Sequence, residues 1–333
     1  MRGRLERWLS ARWYGRPGVL LLLVPLEFLY RLVVALRYVL RNRVMPPVPL
    51  IVVGNITVGG SGKTPLVLWL VERLGARGLR VGIVSRGYGG SGPFPLHVGA
   101  ETPAAACGDE PALLARRTGA LTVVDPDRRR ALAMLLGKGV DVVVSDDGLQ
   151  HLALPRTVEI AVVDGRRGFG NGHCLPVGPL REPVSRLEMI DLLVVNGSGG
   201  WPVPRGAIVM TLLPTVFRKV GATGECLAPD AFRARFGARV AAVAGMGDPA
   251  RFFTTLRTLG FIADEFPFQD HHRFSPDDFS ALAGVIVMTE KDAVKCAGIA
   301  GIDAWYLEIE AQLPAAFLPQ LLRCANLDSE GRA

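Results

Sequence analysis

The sequence is poor in cysteine, and no two of its cysteines stand at the spacing of a metal site. The chain of 333 residues holds five, at Cys107, Cys174, Cys226, Cys296 and Cys324. Because no C-x-x-C pair occurs, a zinc site is not expected, and so few thiols indicate a reducing compartment. The sequence also lacks internal repeats and low-complexity tracts, which excludes a repeat array.

Most of the chain has no net charge, because its basic and acidic residues are equal in number. Of the 38 Lys and Arg and 31 Asp and Glu residues, nine Arg and two Glu lie in residues 1–43. That segment therefore carries the whole net charge of +7, and the remainder is neutral. Because a nucleic-acid-binding protein presents basic charge over its binding face, no nucleic-acid partner is expected.

The basic segment is also the most apolar one, with a run at Val19–Leu26. Projected at about 100° per residue, the polar side chains that follow fall within one sector of about 120°. They are Glu27, Tyr30, Arg31, Arg37, Tyr38 and Arg41. This pattern predicts an amphipathic helix, with Pro25 at a kink or in the first turn. Arginines with Trp and Tyr beside an apolar face are typical of an anchor on the cytoplasmic face of a membrane.

Three other interpretations of this segment compete with an interfacial anchor. A cleaved signal peptide shares the basic front and apolar middle, but no small-x-small cleavage site follows. Residues 18–40 are long enough to cross a bilayer once, although Glu27, Arg31 and Arg37 interrupt them. A soluble helix packed on the body is the third. We expect an interfacial helix, with a single span as the main alternative.

The most informative motif joins a strand to a helix through a glycine-rich turn. Gly54–Pro65 follows the apolar Leu50–Val53 and precedes the helix-like Leu66–Leu74. In such a P-loop, backbone N–H groups surround a phosphate chain, a lysine reaches the terminal phosphates and a hydroxyl ligates Mg²⁺. The residues concerned are Gly59, Gly60, Ser61, Gly62, Lys63 and Thr64. The general pattern has glycine where this chain has Thr57, but the flanking strand and helix favour a nucleotide site over a plain turn.

Short β-branched runs alternate with helical patterns in the next part of the chain. They are Leu50–Val53, Val81–Ser85, Leu121–Val124, Val140–Ser145, Val158–Val163 and Leu192–Asn196. The alternation predicts a P-loop NTPase-like α/β fold with a mostly parallel sheet, whose ligands bind beyond the carboxyl ends of the strands. Strands near Val240–Ala244 and Val285–Met288 predict a second, smaller α/β lobe. We therefore expect an N-terminal membrane-associated helical arm (1–45), a P-loop domain (46–200) and a C-terminal lobe (201–333).

Two adjacent acids follow the apolar run Val140–Ser145. Asp146 and Asp147 resemble a Walker B element, in which a strand delivers a carboxylate to Mg²⁺. The alternative is a cap of the next helix or turn. Adjacent carboxylates at the end of a buried strand are unfavourable without a cation, so we favour the metal.

Five further loops carry polar residues. Arg86 could contact phosphate, or lie in a plain glycine-rich turn. Helix capping is the simpler interpretation of Asp109 and of Thr289–Asp292, which fits a capping box. His271 follows the strand-like run Ile262–Phe268 and is expected to be merely solvated. Leu175–Pro183 is too rich in Pro and Gly for a regular element and is predicted to be an ordered loop able to host a site.

Taken together, these motifs resemble tetraacyldisaccharide 4′-kinase of lipid A biosynthesis. The resemblance rests on seven segments in order: Gly54–Pro65, Ser85–Gly89, Gly108–Pro111, Asp146–His151, Leu175–Pro183, Asp270–His271 and Thr289–Asp292. It runs from the arm to about residue 295 and includes Thr57, which that family shows at this position. Nothing after residue 300 contributes to it.

The resemblance implies an enzyme that uses ATP and Mg²⁺ on a lipid. The γ-phosphoryl group would pass to the 4′-hydroxyl of a tetraacylated glucosamine disaccharide 1-phosphate, at the cytoplasmic face of the inner membrane and with no protein partner. Asp109 would take the hydroxyl proton, with His271 orienting it or tuning its pKa. Phosphate and metal would be held by Lys63, Thr64, Asp146, Asp147 and Glu182, with Arg86 or Arg181 adding positive charge.

Two other classes of function are consistent with parts of the sequence. A membrane-associated regulatory ATPase of the deviant Walker kind has a similar loop, but that class carries a lysine where this chain has Val58. A structural membrane-binding module with a vestigial nucleotide site is the second.

Overall fold

The computed structural model describes residues 2–40, 45–221, 224–299 and 303–328. An N-terminal arm precedes the body and is helical. Its elements are α1 (Arg2–Trp13), a 3-10 helix (Gly18–Leu23) and α2 (Val24–Val39). Pro25 lies in the first turn of α2, where its missing N–H leaves no helical bond unmade. Arg41, predicted to extend the polar side of this helix, lies outside the described residues.

Helices and strands alternate through the first region of the body. The elements are β1 (Leu50–Gly54), α3 (Lys63–Gly75), β2 (Val81–Ser85), β3 (Leu96–Val98), α4 (Ala104–Cys107), α5 (Asp109–Thr118), β4 (Leu121–Val124), α6 (Arg128–Leu136), β5 (Val142–Ser145), β6 (Val158–Asp164) and β7 (Leu192–Asn196). All six strands predicted here are present, with bounds that differ by at most two residues.

The second region adds six strands and four helices within the described residues. They are β8 (Ile208–Lys219), β9 (Cys226–Leu227), α7 (Pro229–Phe236), β10 (Arg239–Ala244), α8 (Pro249–Thr258), β11 (Ile262–Pro267), β12 (Ile286–Thr289), α9 (Glu290–Cys296), β13 (Ala304–Gln312) and α10 (Phe317–Cys324). The sequence patterns predicted β10, β11 and β12, but not β8, β13 or α10.

One sheet of 13 strands runs through both regions. Its order is β11-β10-β12-β13-β8-β7-β6-β1-β5-β2-β4-β3, and β9 pairs with β8 alone. Three pairs are antiparallel, namely β3–β4, β8–β13 and β8–β9, and every other pair is parallel. The predicted mostly parallel sheet is therefore confirmed. Because these strands are parallel, the loops that follow β1, β2, β5, β6 and β7 lie along one edge of the sheet.

Helices cover both faces of the sheet. Alternate residues of β1 face opposite sides, as the period of a strand requires. Ile51 and Val53 pack in one cluster with α3, while Leu50 and Val52 pack in another with α6. Because β1 is buried on both faces, the loop that follows it has a rigid base.

The second region is tied to the first by β8 and by the end of the chain. The first residues of β8 pair with β7, and the remainder pairs with β13. The apolar side of α10, including Phe317 and Leu321, then packs into the same cluster as α3. The predicted boundary near residue 200 crosses this continuous sheet, and the division into domains stays a prediction.

The arm lies with its polar side on the body and its apolar side exposed. The Glu27 carboxylate is 5% exposed and accepts a hydrogen bond from the backbone N–H of Cys174 at 2.8 Å. On the other side, Leu22, Phe28 and Val39 are each more than 70% exposed. Residues Gly18–Val39 are long and apolar enough to cross a membrane by length and composition. The predicted amphipathic helix is thus present. Glu27, Tyr30 and Tyr38 of its polar sector contact the body, and Arg31 and Arg37 are exposed.

Candidate active site

The glycine-rich loop between β1 and α3 is closed by side chains from within it. Asn55, fully buried, donates from Nδ2 to the carbonyl oxygen of Gly59 at 3.1 Å. Its Oδ1 accepts from Lys63 Nζ at 3.2 Å. Gly62 caps α3 with φ at +93°, a conformation that side chains rarely adopt. The loop therefore contacts the first turn of α3, which begins with Lys63 and Thr64.

The carboxylate of Asp146, directly after β5, has no hydrogen-bond partner among the described residues. The residue is 1% exposed. Burial raises the pKa of Asp146 to about 7, and the nearby charges of Glu110 and Asp147 add to the rise. A buried carboxylate left in this way needs a cation to ionise favourably.

Asp147 is instead paired with two cations. Its carboxylate lies 3.2 Å from Lys63 Nζ and 3.4 Å from an Arg181 nitrogen. Burial opposes its charge, but Lys63 and Arg181 hold the pKa of Asp147 below its ordinary value. The residue has φ at +48°, and Arg128 holds this turn by donating to the carbonyl oxygens of Asp146 and Asp147 at 3.1 and 2.9 Å.

Glu182 lies in a separate network against the arm. Its carboxylate accepts from the Tyr38 hydroxyl and from Gln150 Nε2, each at 2.6 Å, and lies 3.2 Å from Arg186 Nε. The described residues contain no cluster of three or more His, Cys, Asp or Glu side chains able to hold a metal. The structure therefore does not bring Asp146, Asp147 and Glu182 together as a three-acid site.

Asp109 and His271 meet across the two regions. Asp109 opens α5, and His271 follows β11 with φ at +60°. The Nδ1 atom of His271 lies 3.0 Å from an Asp109 carboxylate oxygen. The interpretation of His271 as merely solvated is therefore wrong, and capping by Asp109 is wrong as well, since Gly108 is the N-cap and α5 has no side-chain cap.

Two lysines of α9 surround this pair. Lys295 Nζ is 4.0 Å from the Asp109 carboxylate and 2.7 Å from that of Asp292. Lys291 lies 3.0 Å from Asp270. Although burial opposes its charge, the hydrogen bond from His271 and the charges of Lys295 and Lys291 hold the pKa of Asp109 below its ordinary value. Asp109 is thus kept ionised.

The capping role predicted for Thr289–Asp292 is confirmed on the Thr289 side. The Thr289 hydroxyl accepts from the Asp292 N–H at 3.2 Å. The Asp292 carboxylate, fully buried, accepts from that hydroxyl and from the Gly245 N–H at 2.6 and 2.9 Å. This motif therefore also anchors Lys295 beside Asp109.

The loop after β2 packs against the start of α5. A Cβ atom on Gly108, whose φ is +94°, would lie 2.4 Å from the carbonyl oxygen of Tyr88, so only glycine fits there. The Tyr88 ring meets the His271 ring edge to face at 5.2 Å. Arg86 in the same loop is exposed and makes no ion pair with any residue that the structure describes.

The loop Leu175–Pro183 lies against the P-loop. Its Arg181 N–H donates to the carbonyl oxygen of Ile56 at 2.7 Å, and Leu180 is fully buried. The arm reaches the same place, because the Tyr14 hydroxyl donates to the carbonyl oxygen of Val58 at 3.1 Å. The N-terminal arm, this loop and the P-loop thus share contacts.

Sequence reasoning missed several polar residues of this cleft. They are Asn55, Gln150, Asn196, Arg128 and Lys295. Asn55 lies within the motif Gly54–Pro65 and Gln150 within Asp146–His151, so the sequence does indicate their place near the P-loop. The other three depend on long-range packing that no local pattern encodes.

The assembled cleft has the parts that phosphoryl transfer requires. A P-loop with Lys63 and Thr64 can hold a triphosphate, and a buried carboxylate stands at the end of the neighbouring strand. The start of α5 lies close enough to Asp146 for their charges to interact. The charge of Glu110, next to Asp109, contributes to the raised pKa of Asp146. The Asp109–His271 pair therefore lies near the buried carboxylate of Asp146.

Comparison with known proteins gives a consistent family. Residues 19–326 match the model of the family described as tetraacyldisaccharide-1-P 4′-kinase. A tetraacyldisaccharide 4′-kinase of Alcanivorax borkumensis is 48% identical, covering 96% of this chain and 98% of the relative. One of Methylobacillus flagellatus is 45% identical, covering 95% of each.

A solved structure agrees. LpxK from Aquifex aeolicus, determined in complex with ATP, has a TM-score of 0.75 and 27% identity, covering 92% of this chain and 98% of its own. The P-loop, the Asp–His pair and these likenesses agree with one another. This chain belongs to the tetraacyldisaccharide-1-P 4′-kinase family.

Proposed function

We propose that this chain transfers the γ-phosphoryl group of ATP to the 4′-hydroxyl of a tetraacylated glucosamine disaccharide 1-phosphate, a step of lipid A biosynthesis. Family membership supports the activity, and the ATP complex of the Aquifex aeolicus relative supports the donor. The observation that carries the proposal is the 3.0 Å contact of Asp109 with His271, because it joins both regions at a proton-accepting pair beside the P-loop.

Mg²⁺ fits the end of β5. Asp146 offers two buried carboxylate oxygens without partners, and oxygen ligands are what this cation prefers. Thr64 and Asp146 would hold it, and it would neutralise charge on the transferring phosphates. Asp147 holds Lys63 and Arg181 in position, while Glu182 fixes Gln150 and the arm and is not assigned as a ligand.

His271 is the better proton acceptor of the pair. A carboxylate whose pKa is lowered, as in Asp109, is a weaker base. With its Nδ1–H donated to Asp109, the His271 ring leaves Nε2 to take the proton of the sugar hydroxyl. Asp109 then fixes the tautomer and stabilises the imidazolium that forms. The roles are the reverse of those that the resemblance implied.

Lys63, Arg181 and the exposed Arg86 supply positive charge to the phosphates. Phosphoryl transfer depends mainly on positioning and charge neutralisation, so one base with these cations suffices. The Lys63 ammonium lies 3.2 Å from both Asn55 and Asp147. Those two contacts orient it toward the loop that precedes it.

The arm is proposed to hold the enzyme on the cytoplasmic face of the inner membrane. Its exposed apolar side, which includes Leu22 and Phe28, suits contact with acyl chains. Its polar side reaches Glu182 and the P-loop. An acceptor whose acyl chains stay in the bilayer would then present its sugar to the cleft.

One assay tests the activity. Purified full-length chain in detergent is incubated with MgATP, with and without the lipid disaccharide, and ADP and lipid products are measured. We expect ADP only when the acceptor is present, together with a phosphorylated lipid. ADP production without a lipid product would instead indicate a regulatory ATPase.

A further inference from the structure

A buried amide connects the P-loop to the second region. Asn196, the last residue of β7, is 2% exposed. Its Nδ2 donates to the carbonyl oxygen of Ser61 at 3.0 Å. Its Oδ1 accepts from Arg251 Nη2 of α8, also at 3.0 Å. Both ends of this amide are therefore occupied, one by each region.

The bond to Ser61 fixes the orientation of a peptide plane in the P-loop. In a trans peptide the carbonyl oxygen and the following N–H point in opposite directions. When Asn196 holds the oxygen of Ser61, the N–H of Gly62 points away from Asn196. Backbone N–H groups are the phosphate ligands of such loops.

The backbone of Gly62 packs directly against the Asn196 side chain. A Cβ atom on Gly62 would lie 2.1 Å from Nδ2 of Asn196, so the loop is seated directly on the amide. A flipped Ser61–Gly62 peptide would lose the bond to Asn196 and turn a carbonyl oxygen toward the phosphates.

Arg251 fixes the orientation of the Asn196 side-chain amide. A guanidinium only donates, so it selects Oδ1 of Asn196 and leaves Nδ2 for Ser61. Arg251 is itself held, with Nη1 3.6 Å from the Asp164 carboxylate at the end of β6. At the start of the same helix, Asp248 lies 3.0 Å from Arg167. The N-terminal end of α8 is thus docked on the strand ends beside the P-loop.

We infer that Asn196 and Arg251 are positioning residues for nucleotide binding, with Arg251 of the second region acting through Asn196 on the Ser61–Gly62 peptide. The inference rests on the proposed nucleotide site at this loop. It makes the affinity for ATP depend on the docking of α8, which is remote in sequence from every nucleotide motif. Neither residue touches the reacting groups.

The test measures the dissociation constant for MgATP directly, by calorimetry on the full-length chain in detergent. Asn196→Ala should raise it about 10-fold, the loss of one hydrogen bond at a charged site. Arg251→Met keeps the aliphatic stem and should raise it about 3- to 10-fold. The matched control is Arg257→Met on the same helix, because Arg257 pairs with Glu265 away from the loop, and we expect a change of less than about 2-fold.

Two further readouts separate positioning from a general structural role. Asn196→Ala with Arg251→Met should bind MgATP as weakly as Asn196→Ala alone, because Arg251 acts through the amide. The Michaelis constant for ATP should rise with little change in that for the lipid acceptor. Wild-type affinity in Arg251→Met, or additive losses in the double variant, would overturn the inference. Absence of MgATP binding by the wild-type chain would instead overturn the proposed function.

Discussion

At the scale of single residues, the carboxylates of the cleft differ in pKa because their surroundings differ. Asp146 has no partner and a raised pKa, whereas Asp147 and Asp109 are paired with cations and have lowered ones. Functional sites often contain titratable groups of one type whose pKa values are shifted in opposite directions by their surroundings. In the proposed mechanism the same residue type would therefore serve as a cation ligand in one place and as an orienting anion in the others.

The first prediction concerns the proton acceptor. His271→Gln should reduce turnover by about 10²- to 10⁴-fold, because it removes the base, while leaving MgATP binding nearly intact. Asp109→Ala should reduce turnover less, since the imidazole remains and can still adopt the reactive tautomer, whereas an amide at this position would favour the wrong one. Steady-state kinetics of His271→Gln and Asp109→Ala decides the assignment. A larger loss in Asp109→Ala would return the role of base to Asp109.

The second prediction concerns Asp146 and pH. Because the pKa of Asp146 is raised in the folded state to about 7, the folded chain holds a proton there that the unfolded chain releases near pH 4. The free energy of unfolding should therefore fall as pH rises from about 4 through 7. Asp146→Asn should be more stable than wild type at pH 8 without Mg²⁺, by about 1 to 3 kcal/mol, yet inactive.

Chemical denaturation at pH 5 and pH 8 in the presence of a chelator measures this effect. The gain in stability should be small at pH 5, where Asp146 is mostly protonated. An Asp146→Asn variant that is less stable than wild type at pH 8 would show that the carboxylate is not strained by burial.

At the scale of elements, α5 and α9 are joined by a buried ion pair at the end of α5 opposite Asp109. Arg117 Nη1 donates to both oxygens of Glu290, at 2.9 and 3.0 Å, and Glu308 of β13 lies 3.3 Å from the same guanidinium. Burial raises the pKa of Glu290 to about 7, although Arg117 opposes the rise. This pair holds the two helices that carry Asp109 and Lys295.

The third prediction follows from that pair. Arg117→Met leaves Glu290 buried without its partner, which should lower the free energy of unfolding by about 3 kcal/mol at pH 8. Because the pKa of Glu290 is raised in the folded state, the loss should shrink at pH 5, where the carboxyl is protonated and needs no cation. A loss of equal size at both pH values would contradict this account.

Local patterns predicted the elements that obey them. The strands of the first region are continuous apolar runs, and Thr289–Asp292 has the spacing of a helix cap. Both features could therefore be predicted from local sequence. The strand β8 was not, because only part of it is buried and it changes partner from β7 to β13 along its length. The Asp109–His271 contact joins residues 162 positions apart, and only the family resemblance anticipated it.

At the scale of the whole molecule, the proposed anchoring of the arm would place the P-loop body beside a bilayer. Polar groups of α2 contact the body at Glu27 and Tyr38, leaving the apolar side free. Such an arrangement separates the two tasks of the helix. One side contacts the loops of the cleft, and the other is exposed and is proposed to meet lipid.

The fourth prediction tests that separation. Replacing Leu22, Phe28 and Leu29 together by Ser removes exposed apolar area, so binding to anionic phospholipid vesicles should weaken by at least about 10-fold. The dissociation constant for MgATP in detergent should stay unchanged. Vesicle co-sedimentation and calorimetry give the two readouts. Unchanged vesicle binding would show that the arm is not the anchor.

The most direct test of the central claim follows the phosphoryl group itself. The full-length chain is incubated in mixed micelles with Mg²⁺, the tetraacylated disaccharide 1-phosphate and ATP labelled in its γ-phosphate, and the lipid product is examined by mass spectrometry and ³¹P NMR. We predict a single labelled phosphate on the 4′ oxygen. Label recovered only as inorganic phosphate, or bound to any other oxygen of the lipid, would contradict the account.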